Sequence, residues 1–294
     1  MANDNESANG QTNDGASSES AESEEAQDKE QQEVEERAAP ASSIVYRAIR
    51  KEGEDELDRP TSALIWSGIA AGLSMGFSFV GQALLRAHLA DAPWRPLVVA
   101  FGYSFGFLIV VLGRQQLFTE NTLTVILPLL TRRDGATLRN VARLWVAVLL
   151  ANLVGGFLFV WVIAKTEAFA PDVQEALLRI GQEALRDGFA VNLLRGIFAG
   201  WLIALMVWLM PMAETARPWI IIIITWLVGL GGLTHVIVGT METMYVAFAG
   251  QISWPYIVGT YLIPSLLGNV IGGVALVAAI NHAQVVAGNE AEDV

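Results

Sequence analysis

The chain has 294 residues, of which 53% are hydrophobic and 16% charged, a balance that excludes an ordinary soluble domain and points to repeated membrane crossing. Its formal charge of −12 misleads, because residues 1–59 hold 17 of the 30 acidic and 6 of the 18 basic side chains, leaving the rest near neutral. With no cysteine and only three scattered histidines, disulfides, thiolate chemistry, a dedicated metal site and a bound cofactor have no basis, and nothing basic suggests a nucleic-acid partner.

Residues 1–43 are polar and acidic with almost no large apolar side chains. Such a segment buries too little surface to offset its ordering entropy and is expected to be a disordered tail. It contains no basic stretch leading into an apolar core, so no cleavable signal is expected. Residues 44–59 place Ile44, Val45 and Ile49 so as to form a short amphipathic segment at the membrane interface. Residues 60–284 are expected to form the membrane domain, with 285–294 as a C-terminal tail.

Six apolar stretches follow, near 61–86, 94–117, 140–164, 188–210, 218–238 and 255–280. Each has the roughly 20 residues that a helix needs to cross a bilayer. Shorter apolar runs at 119–131 and 241–250 directly follow the second and fifth stretches. The basic residues Arg47, Arg50, Lys51 and Arg59 precede the first stretch, and Arg132, Arg133 and Arg139 precede the third. Basic residues concentrate on the cytoplasmic side, so both termini are expected there, in a multi-pass cell membrane protein.

The second stretch ends in a polar knot, "GRQQLFTENTLTVILPLL" at 113–130, and the fifth in "GGLTHVIVGTMETMYVAFAG" at 231–250. Both read as helices interrupted within the membrane. The segment "LLANLVGGFLFV" at 149–160 returns as "LLGNVIGGVALV" at 266–277, aligning Asn152 with Asn269 at an offset of 117. Applied to Thr119, that offset lands beside His235, so the two interruptions share a register. Three spans repeated by three spans must invert. Broken helices at matching places in inverted halves point to a binding site near mid-membrane.

These residues resemble the formate/nitrite transporter family, through "LFT" at 117–119, "GLTHVIVG" at 232–239 and "LIPSLLGNVIGG" at 262–273. The resemblance implies an all-α membrane protein of six transmembrane helices, an aquaporin-like inverted 3+3 repeat with interrupted second and fifth helices. It also implies a homopentamer with one pore per protomer. Carried over, Thr119 and His235 face each other in the pore, Leu117 and Phe118 form part of a constriction, and Phe107 and Tyr103 narrow the lumen. Family members usually carry one asparagine shortly after the histidine and another in the fourth helix; Gly239 and Gly200 stand there in this chain.

A bare anion pays heavily to enter an apolar passage, whereas its neutral acid does not. An imidazole near the middle is a natural proton relay, Thr119 can hydrogen-bond the anion or the ring, and half-helix N-termini at 119–122 and 240–243 would offer free N–H groups. The expected function is thus a channel or transporter for small monovalent anions or their neutral acids, formate first, then nitrite or hydrosulfide. Glu120, Glu242 and Asn121 flank the interruptions. They read either as pore-lining groups or as first-turn caps of the shorter helices. Arg114 and Arg195 are candidate charge partners for the two acids. With no nucleophile–base spacing, metal motif or phosphate loop, the chain does not read as an enzyme. Two other readings stay open: a pore for a neutral or cationic solute such as ammonia, which the two acids favour, and a membrane-embedded sensor or scaffold.

Overall fold

The computed structural model describes residues 42–292, and every regular element among them is helical. The expected tail therefore lies outside the described residues except for Ser42 and Ser43, which open helix α1 (Ser42–Asp58). Val45, Tyr46, Ile49, Gly53 and Leu57 of α1 are buried, a stripe of helical period that lays the helix against the rest of the chain. Tyr46 Oη lies 2.7 Å from His282 Nδ1 and 3.0 Å from Thr131 Oγ1, so α1 and the last helix meet at one end of the molecule.

The long helices are α2 (Thr61–His88), α3 (Arg95–Leu112), α6 (Gly135–Lys165) and α8 (Phe189–Leu209). A fifth rod runs through α11 (Trp254–Ile257), α12 (Ile263–Ile271) and α13 (Ile280–Glu292). It includes two π-helical stretches, Val258–Leu262 and Gly272–Ala279. These five rods are long and apolar enough to cross a membrane. The rod continues helically to Glu292, past the boundary at 284 expected from the sequence. Helix α9 (Arg217–Leu230) is as apolar but has 14 residues, a length of about 21 Å that falls short of a bilayer core.

Two helices stop where the polar segments begin. α3 ends at Leu112, and the chain resumes as α4 (Asn121–Thr124) and α5 (Ile126–Arg132). α9 ends at Leu230 and resumes as α10 (Val238–Phe248). Both ends use the same turn. Arg114 and Gly232 take left-handed backbone angles, with φ of 50° and 57°. Gln115 N–H then reaches back to Val110 O, and Leu233 N–H to Val228 O, each at 3.0 Å. This reverse bond satisfies carbonyls that a severed helix would otherwise leave unpaired.

Helix α7 (Pro171–Ala184) closes the other end of the molecule. It packs on α10 through Gly181, where a Cβ would meet the Glu242 carbonyl, and it is tied to α2 by a two-bonded Arg86–Glu183 pair at 2.7 Å.

Candidate functional site

Non-helical backbone inside a membrane survives only if its N–H and C=O groups find partners in the protein. Here one asparagine serves each break. Asn152, on α6, accepts from Phe118 N–H at 2.9 Å and donates to Gly68 O and Gln116 O, both at 2.8 Å. Asn269, on α12, accepts from Val236 N–H and donates to Gly196 O and Thr234 O, all at 2.9 Å. A single amide thus holds the extended residues of each break and ties them to a neighbouring helix. The sequence revealed the matched asparagines; their task as braces was not legible there.

Between the braced segments, Thr119 Oγ1 lies 2.9 Å from His235 Nε2. His235 Nδ1 accepts from the backbone N–H of Ile237 at 3.3 Å and of Val238 at 3.4 Å. An imidazole nitrogen that accepts carries no proton, so the neutral ring holds its hydrogen on Nε2 and donates to Thr119. The Thr119 hydroxyl hydrogen then remains available to a third group. Thr119, His235 and Phe107 are all fully buried. Phe107 sets its ring edge-on to the imidazole at 5.1 Å, and Tyr103 packs behind Phe107 with its ring tilted, centroids 5.5 Å apart. Leu117 and Phe118 are buried beside Thr119, with Phe118 edge-on to Trp145.

The flanking polar residues differ from the sequence expectation. Glu120 precedes α4 but its side chain makes no capping bond, and Glu242 lies in the second turn of α10, too deep to cap it. His235 instead caps the start of α10 through Nδ1, so the amides of Ile237 and Val238 are not free for an anion. Asn121 is buried, accepting from Thr124 Oγ1 and donating to Gln116 Oε1. Arg114 pairs with Glu52 of α1 at 2.6 Å, and Arg195 pairs with Asp187 at 2.5 Å. Neither arginine forms an ion pair with Glu120 or Glu242; Arg114 shares a cavity with Glu120 but is engaged by Glu52, and Arg195 is engaged by Asp187.

Glu120 faces a cavity of about 250 Å³ beneath α1, which Glu52, Glu56, Arg114, Gln115 and Gln116 also line. Its Oε1 is shielded and has no hydrogen-bond partner. Burial pushes the Glu56 carboxyl above its ordinary range, against the pull of Arg59 beside it. Glu242 is 8% exposed and accepts at Oε1 from Gln82 Nε2 at 3.1 Å. Gln82 escaped the sequence reading, since 160 residues separate it from Glu242 and no local pattern marks the pair.

Gly239 and Gly200 stand where the resemblance called for asparagines, and close packing explains both. A Cβ at 239 would run into the hydroxyl of Tyr261, and one at 200 into the backbone of Asn269. Tyr261 belongs to the first π-helical stretch and brings its own polar group to the place where an asparagine was expected.

The formate/nitrite transporter family model matches residues 43–283. Inner membrane protein YfdC of Escherichia coli (strain K12) is 38% identical over 250 residues, covering 85% of this chain and 81% of that protein. Formate channel FocA of Haemophilus influenzae is 25% identical over 234 residues, covering 70% of this chain and 81% of its own. Two solved structures share the fold. A pentameric formate channel with formate bound superposes with a TM-score of 0.63 at 21% identity, over 74% of this chain and 95% of its own. An FNT family ion channel gives 0.67 at 17% identity, over 81% and 97%. The chain belongs to the formate/nitrite transporter family, whose members are membrane channels and transporters and not enzymes.

Proposed function

We propose that the chain passes a small monovalent anion, or the neutral acid made from it, along a path whose narrowest point is the Thr119–His235 contact. Formate is the first choice, with nitrite and hydrosulfide behind it. The observation that carries this reading is the contact itself: two broken helices bring a hydroxyl and an imidazole together in otherwise apolar surroundings. The ring fixes the hydroxyl oxygen, and the hydroxyl hydrogen is left to meet a carboxylate or its acid. In this reading the central histidine assists protonation by orienting Thr119. The apolar layer of Phe107, Leu117 and Phe118 keeps hydrated ions out by dewetting.

The architecture that goes with it has six crossings, with α3 and α4–α5 forming one broken crossing and α9 and α10 another. The paired asparagine braces and paired left-handed turns support an inverted, aquaporin-like repeat of three crossings each. The meeting of α1 with α13 at one end supports termini on a common side, and the arginines near α1 and α5 favour the cytoplasmic one. We place the protein in an inner membrane as a homopentamer, in line with the relatives described as an inner membrane protein and a pentameric channel.

The test is uptake of labelled formate into vesicles containing the purified protein, under an inward proton gradient, with the assembled mass measured in parallel. Faster uptake than in empty vesicles, by a pentamer, is the expected result. A second reading, passage of a neutral or cationic solute such as ammonia, is favoured by one observation: neither Glu120 nor Glu242 has a cationic partner. Uptake of methylammonium without formate would decide for it.

A further inference from the structure

We infer that Glu120 and Glu242, rather than His235, exchange the proton with the transported anion, one on each side of the Thr119–His235 contact. The inference rests on the transport reading above and assigns its proton donors.

The geometry of the ring removes His235 as a proton store. A second proton would have to enter at Nδ1, which already faces two amide hydrogens, from Ile237 and Val238. Protonation would set N–H against N–H and uncap α10. The hydrogen on Nε2 is committed to Thr119. The imidazole is therefore a fixed hydrogen-bond donor, and the proton must come from elsewhere.

The two carboxyl groups lie along the proposed path on opposite sides. Glu120 directly follows Thr119 and looks toward the cavity under α1. The charged groups that face it are Glu52, Glu56 and Arg114, and the Arg114 guanidinium is already bound to Glu52. Its shielded Oε1 meets no donor. Glu242 lies toward α7, near the end of α2 that carries Arg86, and is held by Gln82. Glu183 of α7, Tyr103 of α3 and Tyr261 of the last rod face it, and none is cationic. Glu242 is buried and the Oε1 of Glu120 is shielded, and a carboxyl group so placed without an ion-pair partner is cheaper to hold protonated than ionised. Each can lend a proton and must recover it.

The exchange balances without any further reactant. On the α1 side the O–H bond of the Glu120 carboxyl breaks as an O–H bond forms on the incoming anion. The bonding electron pair stays on Glu120, which regains a proton from water in the cavity. Glu242 first gives its own proton to water on the α7 side. The neutral acid that has passed Thr119 then replaces it, its O–H bond breaking with the electron pair left on the departing anion. Both carboxyl groups end the cycle protonated, as they began it. One anion and one proton cross together, and nothing is oxidised or reduced.

The experiment uses the full-length protein in vesicles with a trapped pH dye and labelled formate, comparing wild type with Glu120→Gln, Glu242→Gln and the two aspartate variants. Assembly of each is checked by elution size. Wild-type flux should rise when the formate-bearing side is acidified, with one proton per formate. Either glutamine variant should lose that stimulation by at least about 10-fold, a modest share of what a positioned proton donor contributes. Both aspartate variants should keep the stimulation, and they carry the test alone if a glutamine variant does not assemble. Unchanged acid stimulation in both glutamine variants overturns the assignment while leaving formate transport standing, as does its loss in an assembled aspartate variant. Wild-type flux no greater than in empty vesicles overturns the transport reading and this inference together.

Discussion

Replacing Asn269 with leucine keeps the side-chain volume and removes all three hydrogen bonds that brace the second break. Gly196 O belongs to α8 and retains its helical partner, so two groups are stranded, Val236 N–H and Thr234 C=O. At about 1–3 kcal/mol for each buried, unpaired group, the loss is roughly 2–6 kcal/mol. If only the exchanged side-chain bonds counted, three bonds averaging about 0.6 kcal/mol in membrane proteins would give about 2 kcal/mol. The larger value is expected because water does not reach this backbone and the extended residues have nowhere else to turn. Asn152→Leu should cost a similar amount, since it strands Phe118 N–H and Gln116 C=O in the same way. Titration with dodecyl sulfate in mixed micelles, followed by tryptophan fluorescence, measures both. Either variant falling within about 1 kcal/mol of wild type would refute the brace argument.

Three further outcomes are expected. Thr119→Val removes the hydroxyl while keeping the shape, and formate flux should fall about 10-fold, equivalent to about 1.4 kcal/mol and typical of a lost hydrogen bond. Thr119→Ser should restore most of it in the same vesicle assay. Gly239→Ala sets a methyl group against Tyr261 and should destabilise by about 1–3 kcal/mol, with part recovered by adding Tyr261→Ala; equal stability of the two variants would count against that clash. The Arg86 guanidinium holds the Glu183 carboxyl below its ordinary value of 4.5, so the pair stabilises above that pH and its contribution is lost as pH falls through the lowered value. The stabilities of wild type and Arg86→Gln should therefore converge as pH falls through that lowered value, by less than about 1 kcal/mol because the pair is partly exposed.

The long apolar runs were legible because a bilayer demands length and hydrophobicity, which are local properties of sequence. The two interruptions were legible because polar residues inside a span need a reason, and the repeated asparagine gave their register. The fifth stretch was given the bounds 218–238, running past the start of the interruption that the sequence also marks from 231; the exact stop, left-handed at Gly232, is made by backbone geometry that hydropathy does not register. The partners of Arg114 and Glu242 were out of reach. Glu52 is 62 residues from Arg114 and lies in a helix that packs across the break, and the sequence contains nothing that pairs them. The capping alternative for Glu120 and Glu242 failed for a different reason. A neighbouring imidazole had taken one role, and the short helix α4 left the other without a donor within reach.

At position 114 the backbone takes a shape that costs an ordinary residue about 1 kcal/mol and glycine almost nothing, as Gly232 illustrates at the matching turn. Arginine there accepts a penalty that the opposite half avoids. What it gains is a cationic arm at the severed tip of α3, long enough to hook Glu52. A glycine swap should thus yield a calmer turn and a looser α1, with the two changes visible separately as higher thermal resistance and faster amide exchange along residues 42–58.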